Sequence, residues 1–215
     1  MEAQYHREMI DQVLGPHFAA PDLARVTAAN LGQDTLLGLL QPVYHFDDNL
    51  FAESEQYIAG QRRQAVQAIV ERGDRLAALA AFGRLLHARQ DFYAHANWVA
   101  LWLAAQGGPA HCQPEETPIC PDTTAVPSLI SGTASIPLYL LYRIPLLGRL
   151  ARRLYFPPHT HDAMNLDHPG RGPLFAYALA AATKHTQVEF DLLLAELAGA
   201  GGETAVVQFL QQTRD

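Results

Sequence analysis

The chain has 215 residues and a net charge of −7, which excludes a nucleic-acid surface built on basic side chains, though not a nucleic acid held through metal ions. Hydrophobic residues make up 49%, ample for one core, and no uninterrupted apolar run approaches the ~18 residues of a membrane span. Two cysteines, Cys112 and Cys120, share one Pro-rich stretch and define no disulfide framework, whereas ten histidines is a high count.

The start, MEAQYHREMIDQVLGPHF, is polar and has no apolar signal core, so the expected location is cytoplasmic or reached by a signal-independent export route. Residues 2–14 read as a helix that ends at Gly15-Pro16. His6 and His17 are, taken singly, surface or capping histidines. Pro21 and Asp22 open a second helix, with Asp22 as its N-cap and Leu23, Val26 and Leu31 on its apolar stripe. Asp34, in NLGQDTLLGLL, is placed for an N-cap or a ligand. In PVYHFDDNLF, residues 42–51, His45, Asp47, Asp48 and Asn49 are framed by Tyr44, Phe46 and Phe51. That framing suggests a half-buried loop, or an Asx turn feeding the helix 51–71.

A central helix is predicted over 74–105 from its Ala/Leu-rich composition, with a stop at Gly107-Gly108-Pro109. It carries His87, Asp91 and His95. Steps of four residues turn each Cβ by only ~40°, so all three share one face. A lone histidine there would read as a core residue, but three ionisable groups in an apolar frame each need a partner when buried, and a metal ion supplies one.

Residues 108–172 read as a Pro-rich loop or lid with an apolar segment inserted at 138–156, LYLLYRIPLLGRLARRLYF. That segment reads either as an amphipathic contact with a membrane surface or as a hairpin packed on the bundle. The stretch 156–175 crowds His159, His161, Asp162, Asn165, Asp167 and His168 among prolines and glycines. A last long helix is predicted over 173–198, with Pro173 in its first turn and His185 and Glu189 again at i and i+4, and a short one over 203–213. The whole reads as one all-α domain, residues 1–215.

HARQDFYAHANWVALW, with YHFDDNLF before it and NLDHPGRGPLF and KHTQVEF after it, resembles the heterokaryon-incompatibility C (Het-C) family and its bacterial relatives. The order of ionisable residues is also similar to that of the zinc-dependent phospholipase C and single-strand nuclease superfamily. That resemblance implies a helical domain holding two or three zinc ions through His17, Asp34, His45, His87, Asp91, His95, His185 and Glu189. The interval of about ninety residues between His95 and His185 exceeds the family spacing, so His161 or Asp167 could replace or add a ligand, and His168 and Asp48 are further candidates. The superfamily completes one site with an amino-terminal tryptophan, whereas this sequence begins Met1-Glu2.

The activity so implied is hydrolysis of a phosphodiester, foremost a phospholipid, by zinc-activated water. Asp91 and Asp34 are then catalytic, and Tyr44, Phe46 and Phe92 line the substrate. A single-strand nuclease stacking bases on those aromatics is one alternative. A non-catalytic, Het-C-like interaction or membrane-associated protein is another.

Overall fold

The computed structural model describes residues 1–35, 37–134, 141–142 and 144–210. Its architecture follows from one helix, α4 (Arg75–His95), whose residues from Ala78 to His95 are almost all buried. Its apolar residues run all the way round instead of forming one stripe, which is the pattern of a helix enclosed on every side. Asp74 caps it, accepting from the Ala77 amide at 3.0 Å.

Around α4 pack α2 (Ala20–Leu31), α3 (Phe51–Val70) and α8 (Leu174–Leu210), the last broken at Gly202, where φ is 68°, while α1 (Ala3–Leu14) lies on α2 and α8 and meets α4 through His6. The approach of α2 is close: a β-carbon at Gly83 would stand 2.2 Å from the Val26 carbonyl oxygen, so a glycine is required there. The described residues also form three shorter helices, α5 (Trp98–Ala105), α6 (Leu147–Leu154) and α7 (His161–Met164). Among the described residues there is no β-strand, only two isolated bridges, so the expected all-α domain is found. No described helix is long and apolar enough to cross a membrane. Of the expected elements, residues 135–140, Arg143 and 211–213 lie outside the described residues.

Two boundaries differ from expectation. The second helix is capped at Ala19, and Asp22 lies in its first turn, paired with Arg75 across to α4 (Oδ2 to Nη2, 2.8 Å). The central helix is also not continuous to 105. Ala96 is extended and bridges Ser131, and the Asn97 amide reaches the same loop, accepting from Ile130 N at 2.9 Å and donating to Ser128 O at 3.1 Å. An asparagine side chain that satisfies neighbouring backbone groups competes with the helix. The break leaves the carbonyls of Ala94 and His95 to accept from Leu166 and Gly132.

The 108–134 loop is fastened along its length. Trp98 Nε1 donates to Pro118 O at 3.0 Å, Tyr177 OH to Cys112 O at 2.8 Å, and Cys120 N to Tyr93 OH at 3.0 Å. Both cysteines are free and buried.

Candidate metal centre

The face of α4 carrying His87, Asp91 and His95 meets the loop 45–49 on one side and α1 on the other. Asp91 is the hub, 1% exposed. Its Oδ2 lies 2.9 Å from His45 Nδ1 and 3.1 Å from His87 Nε2. Its Oδ1 lies 3.2 Å from His6 Nε2 and accepts from the Met1 α-amino group. Asp34 closes the open edge, its Oδ1 3.5 Å from His87 Nε2 and 4.0 Å from His45 Nδ1. One donor atom from each of Asp34, His45, His87 and Asp91 falls within 4.8 Å of the others.

A second group, Asp47, His95 and His161, adjoins the first. His161 Nδ1 lies 2.9 Å from Asp47 Oδ2, and the His95 and His161 rings meet edge to face at 4.3 Å. His95 Nδ1 is 2.9 Å from the His45 carbonyl, which can only accept, so that nitrogen carries the hydrogen. In the neutral ring, His95 Nε2 is then a lone pair aimed at Asp167 Oδ1, 3.2 Å away. Two electron-rich atoms at that distance need a cation between them, a proton or a metal.

Local sequence explains how loop residues reach the centre. Phe46, Asp48 and Asn49 all have φ near +57°, a region open to asparagine and aspartate but costly for phenylalanine. The turn is held by residues 131–134: Asp48 Oδ1 accepts from Ala134 N at 2.8 Å and Asn49 Oδ1 from Ser131 N at 2.8 Å. Gly132 lets the His161 segment approach this loop, since a β-carbon there would stand 2.6 Å from the His161 Cα.

The charges are strongly coupled. Burial raises most carboxylates, but around Asp91 the Met1 amine above all, with the hydrogen bond from His45, outweighs it and holds the carboxyl well below its usual range. Burial pushes the His87 ring down to about 3, so it is neutral with a free lone pair at physiological pH. Burial would lower His45 too, but its contact with Asp91 raises it. His161, also buried, is raised to about 9 by Asp47. Burial and the Asp91 charge raise Asp34.

Several expected site residues lie elsewhere. His17 is exposed and packs on Phe190, because the loop after α1 turns it away from α4. His185 and Glu189 are buried but belong to another network. Glu189 meets Arg89 Nε at 2.8 Å and Arg62 Nη2 at 2.5 Å, and His185 Nδ1 meets Tyr93 OH at 2.7 Å. Both Glu189 oxygens are thus taken by arginines that face it from α4 and α3. Asp48 braces its loop, and His168 Nδ1 accepts locally from Gly170 N at 3.1 Å. Phe46 and Phe92 are fully buried, 5.1 Å apart, and are core rather than substrate surface, leaving Tyr44 half-buried on Tyr57. Conversely, His6, expected at the surface, is 0% exposed and stacks on His87 at 4.6 Å. The signal for it was its position on the α1 stripe with Met9, Ile10 and Val13.

Residues 10–106 match the VWA7 N-terminal domain family. This range contains Asp34, His45, Asp47, His87, Asp91 and His95, and leaves out His6, His161 and Asp167. Over 80 residues the chain is 38% identical to human von Willebrand factor A domain-containing protein 7, covering 37% of this chain and 9% of that protein. The mouse protein of the same name is 29% identical over 139 residues, covering 55% of this chain and 16% of its own length. The chain therefore spans less than a fifth of the length of these relatives. No solved structure matches.

These matches overturn the resemblance to Het-C and to the phospholipase C and nuclease superfamily, since the family found is the VWA7 N-terminal domain. The physical reason for the misreading is that imidazole and carboxylate at helical spacing are what ligation requires of any helix, whatever its lineage.

Proposed function

We propose that this domain is a divalent-metal-dependent phosphodiester hydrolase, with zinc as the cation and a phospholipid head-group bond as the substrate. The observation that carries the reading is the enclosure of Asp91 by His6, His45 and His87, with Asp34 at the edge of the group. The donor set fits such an ion. His6 Nε2 faces Asp91 Oδ1 at 3.2 Å without hydrogen-bond geometry, and His95 Nε2 faces a carboxylate. The Nδ1 atoms of His6 and His87 face amide oxygens, Gln90 Oε1 at 2.7 Å and Asn30 Oδ1 at 3.4 Å, so a neutral ring at either position turns its Nε2 lone pair toward Asp91.

Bound zinc would supply a water of near-neutral pKa and charge to offset that on the phosphoryl oxygens. The residues do the rest. Asp34, 36% exposed and with its pKa raised, is the carboxylate that can meet water at the edge of the centre and take its proton. Asp91, fully enclosed, fixes the imidazoles in place. The His45 carbonyl fixes the His95 tautomer. A nuclease reading loses its stacking platform because Phe46 and Phe92 are closed in the core.

Metal analysis of the purified protein, followed by hydrolysis of bis(p-nitrophenyl)phosphate and of phosphatidylcholine, tests the proposal. Chelation abolishes turnover and zinc restores it. Asp91→Asn lowers zinc affinity at least tenfold and removes activity. Zinc-loaded protein that cleaves neither substrate would overturn the reading in favour of a domain in which the ion serves only the fold.

A further inference from the structure

The side chains of α6 are arranged inside out. In LGRLARRL, Leu147, Leu150 and Leu154 fall on one stripe at i, i+3 and i+7. In a soluble bundle such a stripe faces the core. Here Leu147 is 49% exposed, Leu150 53% and Leu154 76%, and Leu146 beside them is 80% exposed. The side turned to the body is instead the one bearing Gly148 and Arg152. Gly148 is buried against Tyr142, and Arg152 sits 4.8 Å over the Tyr142 ring and 3.4 Å from Asp162. With Ile144, Tyr155 and Phe156 also exposed, seven of the twelve exposed large hydrophobic side chains among the described residues lie within 144–156. A concentration of that kind marks an interaction surface.

Charge decides the occupant. Residues 144–156 contain Arg149, Arg152 and Arg153 and no acidic residue, in a chain of net charge −7. Arg149 and Arg153 are exposed and lie along one border of the leucine stripe. A second copy meeting this face would bring those arginines toward their own counterparts. A leucine stripe bordered by arginines matches the acyl and phosphate layers of a bilayer surface. We propose that α6 is an interfacial helix that docks this protein on anionic phospholipid membranes, with Leu147, Leu150 and Leu154 in the acyl boundary and Arg149 and Arg153 on the phosphates. The docking does not depend on the metal centre. If the substrate is a phospholipid, it brings the domain to it.

Co-sedimentation with vesicles of phosphatidylcholine alone, and of phosphatidylcholine mixed with phosphatidylglycerol, tests this. A chelator present throughout suppresses metal-dependent cleavage, so loss of the hydrolase reading leaves the result untouched. Wild-type protein partitions onto the mixed vesicles and stays in solution with phosphatidylcholine. The double variant Arg149→Gln/Arg153→Gln binds about thirtyfold more weakly, and the triple variant Leu147→Ser/Leu150→Ser/Leu154→Ser shows no partitioning while melting as the wild type does. Wild-type protein that remains in solution with both vesicles overturns the proposal, as does a triple variant that partitions normally. So does a wild-type dimer that the triple variant converts to monomer without any lipid binding, because the face is then covered by a second copy.

Discussion

His45 Nδ1 stands 2.9 Å from Asp91 Oδ2 although 46 positions separate the two residues, and His6 reaches the other oxygen of the same carboxylate from 85 positions away. Histidines from α1 and from a loop thus complete a site of which α4 alone supplies only half. His6→Ala lowers zinc affinity by at least tenfold in calorimetric titration, whereas His17→Ala leaves it within twofold of wild type, since His17 packs on Phe190 outside the centre. Equal effects of the two substitutions would show that the α1 contribution is misplaced.

Glu189 separates a structural from a ligating role. Its carboxylate lies between Arg89 and Arg62 in the interior. Glu189→Gln leaves Arg89 with only Glu55 and costs about 3 kcal/mol of unfolding free energy in urea, while zinc stoichiometry is unchanged. A loss of bound zinc without a loss of stability would reverse that assignment.

Gly132 sets the distance between the 131–134 segment and His161. Gly132→Ala forces the two backbones apart, weakening the Asp47–His161 contact and destabilising the fold by about 1–3 kcal/mol. The affinity measured for the Asp34, His45, His87 and Asp91 group stays near wild type, so a titration that resolves two classes of site loses only one.

The pH dependence of stability carries the signature of His185. Burial, reinforced by Arg89 and Arg62, holds its ring well below the ordinary histidine value. The folded state therefore leaves His185 neutral where the unfolded chain protonates it. Stability from this group is full above about pH 6.5 and falls by up to ~1.4 kcal/mol per pH unit below it. His185→Gln removes that dependence, so between pH 6.5 and 5 the difference in stability between wild type and variant shifts in favour of the variant. Parallel curves for the two proteins would refute the assignment.

The periodicity of α4 was enough to place His87, Asp91 and His95 on one face, because helical geometry is local and three residues four apart can do nothing else. The same rule put His185 and Glu189 on one face of α8, and they are there. What lies opposite is decided by other helices: α4 turns Arg89 toward Glu189, and α3 adds Arg62, so an identical local pattern becomes an ion-pair network. His6 was marked only by sharing a stripe with Met9, Ile10 and Val13, and nothing in α1 names the carboxylate it meets. Asp47 and His161, 114 positions apart, come together because a left-handed turn and Gly132 allow three backbone segments to close on one another. Sequence by itself determined the helical class and the face of α4 that carries His87, Asp91 and His95, since both depend on spacing within a few turns. Which histidines join that face, and which carboxylates meet arginines instead, only the tertiary structure decided, since those contacts depend on where distant segments pack.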